Sequence, residues 1–504
     1  MFDLLIKNGM ILDGTGCDGY QADIGIRDGK ILSVDTGLSG AKQVIDADGL
    51  TVTPGFIDSH SHSDGSTLAY PLQAEKAEQG ITTAVAGQCG SSPYPRRVGD
   101  KVLSMGLFMD QVDATPQGSN IAVFAGHSAL RNSVMGMENR PATPEEVERM
   151  AQLLREAMEA GAMGISFGLI YTPSCYSETE ELVELAKVAG EMGGMISAHI
   201  RNESDGVIEA VEEFITVAKA AKVRGVISHH KSTHEQNYGK VKTTLAMIEK
   251  ANREGCDIYC DVYPYIASCT RLSATFIPSA YDVPGVAGYL QDPGLRAEFK
   301  KWNLEKFGPD LSWVQILNCT AYPEYSGLPV PEAAKLHGKD HLETVFDIIE
   351  KQRGCQAAYF TMREEDVETV MAWQRAMICT DSGVAGDKVS YHPRLRGAFP
   401  RVLGRYVRQR QVTDLPEMIR KITSLPAQVY GFDTKGRIAE GMDADLCVFD
   451  PETVLDRATF TEPHHRAEGL RYVIIGGTVA VENATCTGAK PGRLLRRKLC
   501  RGGA

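Results

Sequence analysis

Eight apolar, partly β-branched runs recur along the middle of the chain, each followed by polar or glycine residues and then by a stretch of helical period. They end near Asp58 (VTPGFID), Gly87 (TTAVAG), Gly126 (NIAVFAG), Gly168 (GISFG), His199 (GMISAH), His229 (GVISH), Val262 (DIYCDV) and Asp381 (AMICTD). Continuous apolar runs of this length suit strands buried on both faces, and alternation with helices makes the sheet parallel. Eight such units predict an α/β fold, a (β/α)8 TIM-like barrel. Two helix starts fit: Thr143-Pro144-Glu145-Glu146 opens one with a capping residue, an early proline and early acids, and Ser177-Glu178-Thr179-Glu180 opens another.

The ends of the chain have a different texture. Short runs at 3–6, 10–12, 23–26, 31–34 and 43–45 alternate with Asn8-Gly9, Asp28-Gly29 and Asp48-Gly49 turns. Runs at 436–438, 446–449, 472–475 and 478–481 repeat the style near the other end. Neither end has the apolar mass to fold well alone, so residues 1–54 and 430–504 are expected to form one small β-sandwich around a barrel of 55–429. The gap between Val262 and Asp381 is too long for one crossover. Residues 267–361 are therefore expected to form an inserted subdomain or lid between strands 7 and 8.

Composition excludes several classes. With 504 residues, 43% hydrophobic and 23% charged, the chain is neither disordered nor fibrous. A net charge of 53 − 65 = −12 speaks against a nucleic-acid partner held by phosphate contacts. Twelve cysteines without a CxxC pair argue against a disulfide scaffold. The first residues lack the pattern of a signal peptide, and no run of 18 apolar residues could span a membrane. A cytoplasmic enzyme is the expected setting.

A barrel carries its active site at the C-terminal ends of its strands. His60 and His62 follow strand 1, Cys89 follows strand 2, His199 ends strand 5, His229 follows strand 6 and Asp381 ends strand 8. At i and i+2 in an extended chain, His60 and His62 point to one side, as a two-point clamp for a divalent ion or as a pair of turn histidines. Cys89, between Gly87 and Gly90, would alone be a small buried hydrophobe. Together with His199 and His229 it makes a borderline-soft set that suits zinc and leaves one position open for water. Asp381 can bind metal or move a proton, or cap a helix. His230 should point away from the others, and His127 is read as structural or supporting.

These residues sit in segments that resemble a known family. GFIDSHSHSD (55–64), after LLIKNGMILDGTG, and GRIAEGMDADLCVFDP (436–451) look like the amidohydrolase superfamily. GQCG (87–90), GHSALR (126–131), GISFGLIYTP (164–173), AHIRNE (198–203), ISHHK (227–231) and DVYPY (261–265) are similar to N-acyl-D-amino-acid deacylases, the D-aminoacylases. EEDV (364–367), HPRLRGAFPRVLG (392–404) and KPGRLLR (490–496) continue the likeness in family order. Departures are Ser63-Asp64 after His62, the second histidine in ISHHK, and CTDSG at 379–383.

The resemblance implies zinc-dependent hydrolysis of the amide of a small N-acyl-D-amino acid. It implies a tightly bound zinc on Cys89, His199 and His229, a second, weaker position at His60 and His62, and Asp381 as general base and acid. It also implies that Tyr171, Lys231 and Arg394 hold the substrate carboxylate; a guanidinium can grip a carboxylate bidentately and a lysine adds a point charge. Arg271, after strand 7, could meet an acidic side chain such as that of D-glutamate or D-aspartate. The competing enzyme reading is a cyclic-amide hydrolase of hydantoinase or dihydroorotase type, whose usual carbamylated lysine has no counterpart at a strand end here. A non-catalytic relative is the third. No sequence feature assigns an oligomeric state, an acyl chain or a side-chain preference.

Overall fold

The structure is a computed structural model describing residues 1–386 and 392–497. The central strands are β1 (Phe56–Asp58), β2 (Ile81–Ala86), β3 (Asn120–Val123, resuming at Ala125–Gly126), β4 (Gly164–Gly168), β5 (Met195–His199), β6 (Arg224–Ile227), β7 (Ile258–Val262) and β8 (Ala376–Ile378). Each pairs in parallel with the next. The ring closes between β8 and β1. Asp381 N donates to His60 O at 2.9 Å, His62 N donates to Ser382 O at 3.0 Å, and Ser61 bridges Ser382 in parallel. This seam sets the segment after the first strand beside the segment after the last.

Alternate residues of the strands serve different layers, which is why the runs are apolar throughout. Ile57, Val85, Ala122, Met163, Met195, Val226 and Met377 pack inside the ring. Phe56, Ala86, Ile121, Ile165, Ile196, Ile227 and Ile378 pack outward against the helices. The helix Pro144–Glu159 begins with the expected reciprocal capping by Thr143 and Glu146. The second helix also starts where expected, running Thr179–Glu191 with Glu178 at its N-cap and no side-chain cap, and the Ser177 hydroxyl donates to Ser174 O at 2.7 Å.

Both ends of the chain share one nine-stranded sheet. Its junction is Thr51–Pro54 against Leu446–Phe449, antiparallel, and Gly55 alone separates this strand from β1. Two readings of these ends are corrected. Asn8-Gly9 is not a turn: Phe2–Ile11 is one strand with a bulge there, and Asn8 takes a left-handed φ of 60° while its N–H donates to Asp23 Oδ1. Residues 436–438 form no strand; Ile438 N donates to Asp13 O as a lone link.

Between β7 and β8 stands a three-stranded antiparallel sheet of Ser268–Arg271, Val314–Ile316 and Gln356–Tyr359, the last in the middle. With helices including Pro293–Phe307 and His341–Lys351 it encloses its own apolar cluster, around Phe276, Phe299, Phe346 and Ile349. Among the described residues, no helix is long and apolar enough to cross a membrane.

Candidate metal centre

The turn after β2 is shaped by close backbone approach. Gly87 has φ 76°, and a Cβ there would lie 2.4 Å from Phe124 O. A Cβ on Gly168, at the end of β4, would lie 2.0 Å from Cys89 O. These glycines let Cys89 drop into the mouth of the ring. Cys89, His229 and Asp381 have φ of 53°, 37° and 47°, in the left-handed region. Such conformations cost on the order of 1–3 kcal/mol each and concentrate where function requires them.

Cys89 Sγ is the hub. It lies 3.3 Å from His60 Nε2, 3.3 Å from His229 Nε2 and 3.7 Å from His199 Nδ1. Asp381 Oδ1 lies 3.1 Å from His62 Nε2 and 3.6 Å from His60 Nε2. The donor atoms of His60, Cys89, His229 and Asp381 fall within 4.8 Å of one another, as do those of His199, Glu203 and His229. All five expected ligands and Asp381 thus meet at one place.

The electrostatics fit a cation at that place. Burial opposes ionisation of Cys89, but His60, His229 and His199 around it hold the thiol well below its ordinary value. Burial likewise disfavours charged imidazoles, yet Cys89 and Asp261 hold His60 well above the usual histidine range. His62 is pushed to about 9 against its burial, chiefly by Asp381 and Cys89, and His199 to about 9 by Glu203 and Cys89. Without metal, ring protons supply the positive charge that the thiolate and carboxylate attract. A divalent ion would replace those protons.

The cavity over this cluster has a volume of about 1200 Å³, and its lining includes His62, Cys89, Tyr171, Lys231, Arg271 and Arg394. Tyr171 meets the His199 ring edge-on at 5.1 Å, and its hydroxyl lies 3.2 Å from Thr270 Oγ1. Lys231 Nζ lies 2.5 Å from Glu203 Oε1. Arg394 Nη1 lies 2.7 Å from Asp381 Oδ2. Arg271 pairs at 3.2 Å with Asp282, which also takes Arg353 at 2.9 Å. His230 turns away, with Nε2 2.8 Å from Thr244 Oγ1. His127 is engaged elsewhere, its two nitrogens each 2.8 Å from Ser174 Oγ and Glu181 Oε1.

Four supporting residues were not singled out in the sequence. Lys76 is fully buried and reaches Asp58 Oδ2 at 2.8 Å, Thr380 Oγ1 at 2.7 Å and Ser382 O at 2.8 Å, so it staples both sides of Asp381 to the end of β1. Asp261 Oδ1 accepts from His229 N at 2.6 Å and lies 3.7 Å from His60 Nδ1. Glu203 lies behind His199 and His229. Tyr263 is a ring wall beneath Lys231 and Arg394, at 5.4 and 5.2 Å. An aspartate inside the apolar run DIYCDV was a signal for Asp261, Glu203 and Tyr263 lie in the quoted segments AHIRNE and DVYPY, and Lys76 carries no local mark.

Comparison with known proteins identifies the family. Residues 43–252 and 315–481 match the amidohydrolase family. A D-aminoacylase of Alcaligenes xylosoxydans xylosoxydans is 35% identical over 511 residues, covering 98% of both chains. The chain is an amidohydrolase of the D-aminoacylase family. An N-acyl-D-glutamate deacylase of the same organism is also 35% identical, over 100% of this chain and 98% of its own. The crystal structure of N-acyl-D-glutamate deacylase from Bordetella bronchiseptica, complexed with zinc and a phosphonate inhibitor, superposes with a TM-score of 0.86 at 34% identity, covering 98% of this chain and 99% of that one. A D-hydantoinase of Ralstonia pickettii is 23% identical over 98% of this amidohydrolase, a far more distant match.

Proposed function

We propose that this amidohydrolase converts N-acyl-D-amino acids to a D-amino acid and a carboxylate, and that the Cys89 thiolate among three imidazoles, with Asp381 beside them, carries the reading. Zinc bonds of roughly 2.3 Å to sulfur and 2.0–2.1 Å to nitrogen give a tetrahedral S···N edge of about 3.5 Å. The Cys89–histidine separations of 3.3, 3.3 and 3.7 Å fit that edge. Cys89, His199 and His229 would hold one zinc tightly, with His60 and His62 as a second, weaker position. Bound there, zinc supplies a nucleophilic hydroxide at neutral pH and polarises the amide carbonyl.

The chain's own residues do the rest. Asp381 takes the proton of the attacking water, since its neighbours keep it ionised. As the C–N bond breaks, Asp381 returns that proton to the departing nitrogen, which cannot leave as an amide anion. Lys231, Arg394 and Tyr171 line the cavity where the substrate carboxylate would be held. Arg271 lines the cavity while pairing with Asp282 at 3.2 Å, and its guanidinium favours an acidic side chain on the substrate.

The same reading assigns 1–54 plus 430–504 to a small β-sandwich domain, 55–429 to the barrel, and 267–361 to an inserted subdomain or lid. Its separate apolar cluster supports the last assignment. A cytoplasmic setting is supported by the described cysteines, which are all free. The test is amine release by zinc-loaded protein from N-acetyl-D and N-acetyl-L forms of methionine, leucine, glutamate and aspartate. Turnover of D-forms alone, fastest for the acidic pair, is expected. Turnover of hydantoins or dihydroorotate with none of the panel would overturn the reading.

A further inference from the structure

Two of the three imidazoles around Cys89 present opposite edges to two different partners. His199 turns Nδ1 towards Cys89 and His229 turns Nε2, at 3.7 and 3.3 Å. Their other nitrogens face one carboxylate: His199 Nε2, without a hydrogen-bond partner among the described residues, lies 3.4 Å from Glu203 Oε2, and His229 Nδ1 lies 3.1 Å from Glu203 Oε1 and 2.8 Å from Lys231 Nζ. Each carboxylate oxygen thus backs one ring. Oε1 also holds Lys231 Nζ at 2.5 Å. The Glu203 main chain is tied to the same segment, its carbonyl accepting from Thr233 N at 2.8 Å and Thr233 Oγ1 at 3.0 Å.

We infer that Glu203 is a positioning residue that orients both imidazoles towards the metal and, through the same carboxylate, places the Lys231 ammonium in the cavity. An imidazole whose outer N–H is held by a carboxylate keeps its inner lone pair free, correctly aimed and more basic. Here a single carboxylate faces two ligands from two strands, His199 directly and His229 together with the Lys231 ammonium. It therefore links retention of the ion to the placement of a substrate-binding cation. Neither His60 nor His62 is in contact with Glu203, so the effect falls on the tightly held position. The inference rests on His199 and His229 being ligands, as in the reading above.

The test is zinc affinity of the full-length protein, by competition with a chromophoric chelator, for E203Q and E203A beside K231M. Loss of an outer-sphere partner of this kind typically weakens metal binding by about 10–100-fold. E203Q is expected to fall in that range with an unchanged far-ultraviolet circular dichroism spectrum, and E203A at its weaker end. K231M, which keeps Glu203 but removes the ammonium beside His229 Nδ1, should lose less zinc affinity than E203Q and raise KM for the best N-acetyl-D-amino acid, and E203Q should raise KM as well. Zinc affinity of E203Q within twofold of wild type would overturn the inference; so would a loss beyond about 1000-fold, which would make Glu203 a direct ligand. If zinc binding depends on Glu203 while no D-substrate is turned over, the inference stands and the deacylase reading falls.

Discussion

Arg394 Nη1 lies 2.7 Å from Asp381 Oδ2, while His62 Nε2 lies 3.1 Å from the other oxygen, Oδ1. Burial raises the cost of charge on Asp381, but Arg394, His229 and His62 more than offset it and hold the carboxyl well below its ordinary value. Asp381 is therefore favoured as the carboxylate, the form that can accept a proton. A general acid–base group typically contributes about 10²–10⁴ in rate. D381N should lose activity in that range with wild-type zinc content, measured by steady-state kinetics and elemental analysis. Full activity would remove Asp381 from the chemistry.

The same pairing ties a substrate-binding candidate to the base. Replacing Arg394 by methionine removes the strongest attraction on Asp381, so its pKa must rise. The acid limb of kcat/KM should move to higher pH in R394M, and KM should increase as the carboxylate grip is lost. An R394M profile that overlays the wild type would mean that the pair has no influence during turnover.

Lys76 and Asp58 form a fully buried ion pair at the seam of the barrel, 2.8 Å apart. Removing one partner of a buried pair leaves an uncompensated charge and commonly costs about 3–5 kcal/mol. K76M should lose stability on that scale, read by urea unfolding. It should also disturb the Asp381 turn, because Thr380 and Ser382 lose their common donor. K76M as stable as wild type would refute the staple.

Cys89 should differ chemically from the other buried cysteines. Its neighbours hold it as thiolate, whereas burial pushes the Cys260 and Cys379 thiols well above their ordinary value. The thiolate is the reactive form. Iodoacetamide at neutral pH should label Cys89 of metal-stripped protein ahead of Cys260 and Cys379, with protection by zinc, as peptide mass spectrometry would report. Equal labelling, or none that zinc prevents, would argue against a thiolate ligand.

The parts legible in the sequence were those with a local signature. Strands buried on both faces announce themselves as apolar runs, and His60, Cys89, His199, His229 and Asp381 stood out because each follows one. Lys76 and Glu203 had no such mark. The contacts that give them their roles come from elsewhere in the chain: Asp58, Thr380 and Ser382 for Lys76, and the imidazoles ending β5 and following β6 for Glu203. Asn8-Gly9 was misread for a related reason: the pair favours positive φ in a bulge as well as in a turn, and the partner strand decides which.

Asp443 joins the two ends of the chain electrostatically. It lies 2.6 Å from Lys30 Nζ in the N-terminal hairpin, 3.1 Å from Lys435 Nζ and 3.0 Å from Arg493 Nη2. Burial alone would raise its pKa, but Lys435, Lys30 and Thr434 lower it to about 2 from an ordinary 3.8. A carboxyl with a depressed folded-state pKa stabilises the fold above its unfolded value, and that contribution disappears as pH falls through the folded value. The stabilisation is therefore complete above about pH 4 and gone near pH 2, amounting to about 2 kcal/mol at 1.36 kcal/mol per unit. D443N should be less stable than wild type by about that amount at pH 7, with the two converging as pH approaches 2. Urea unfolding of both proteins between pH 7 and pH 2 measures the difference, and a gap that stays constant with pH would show that packing rather than charge makes the contribution.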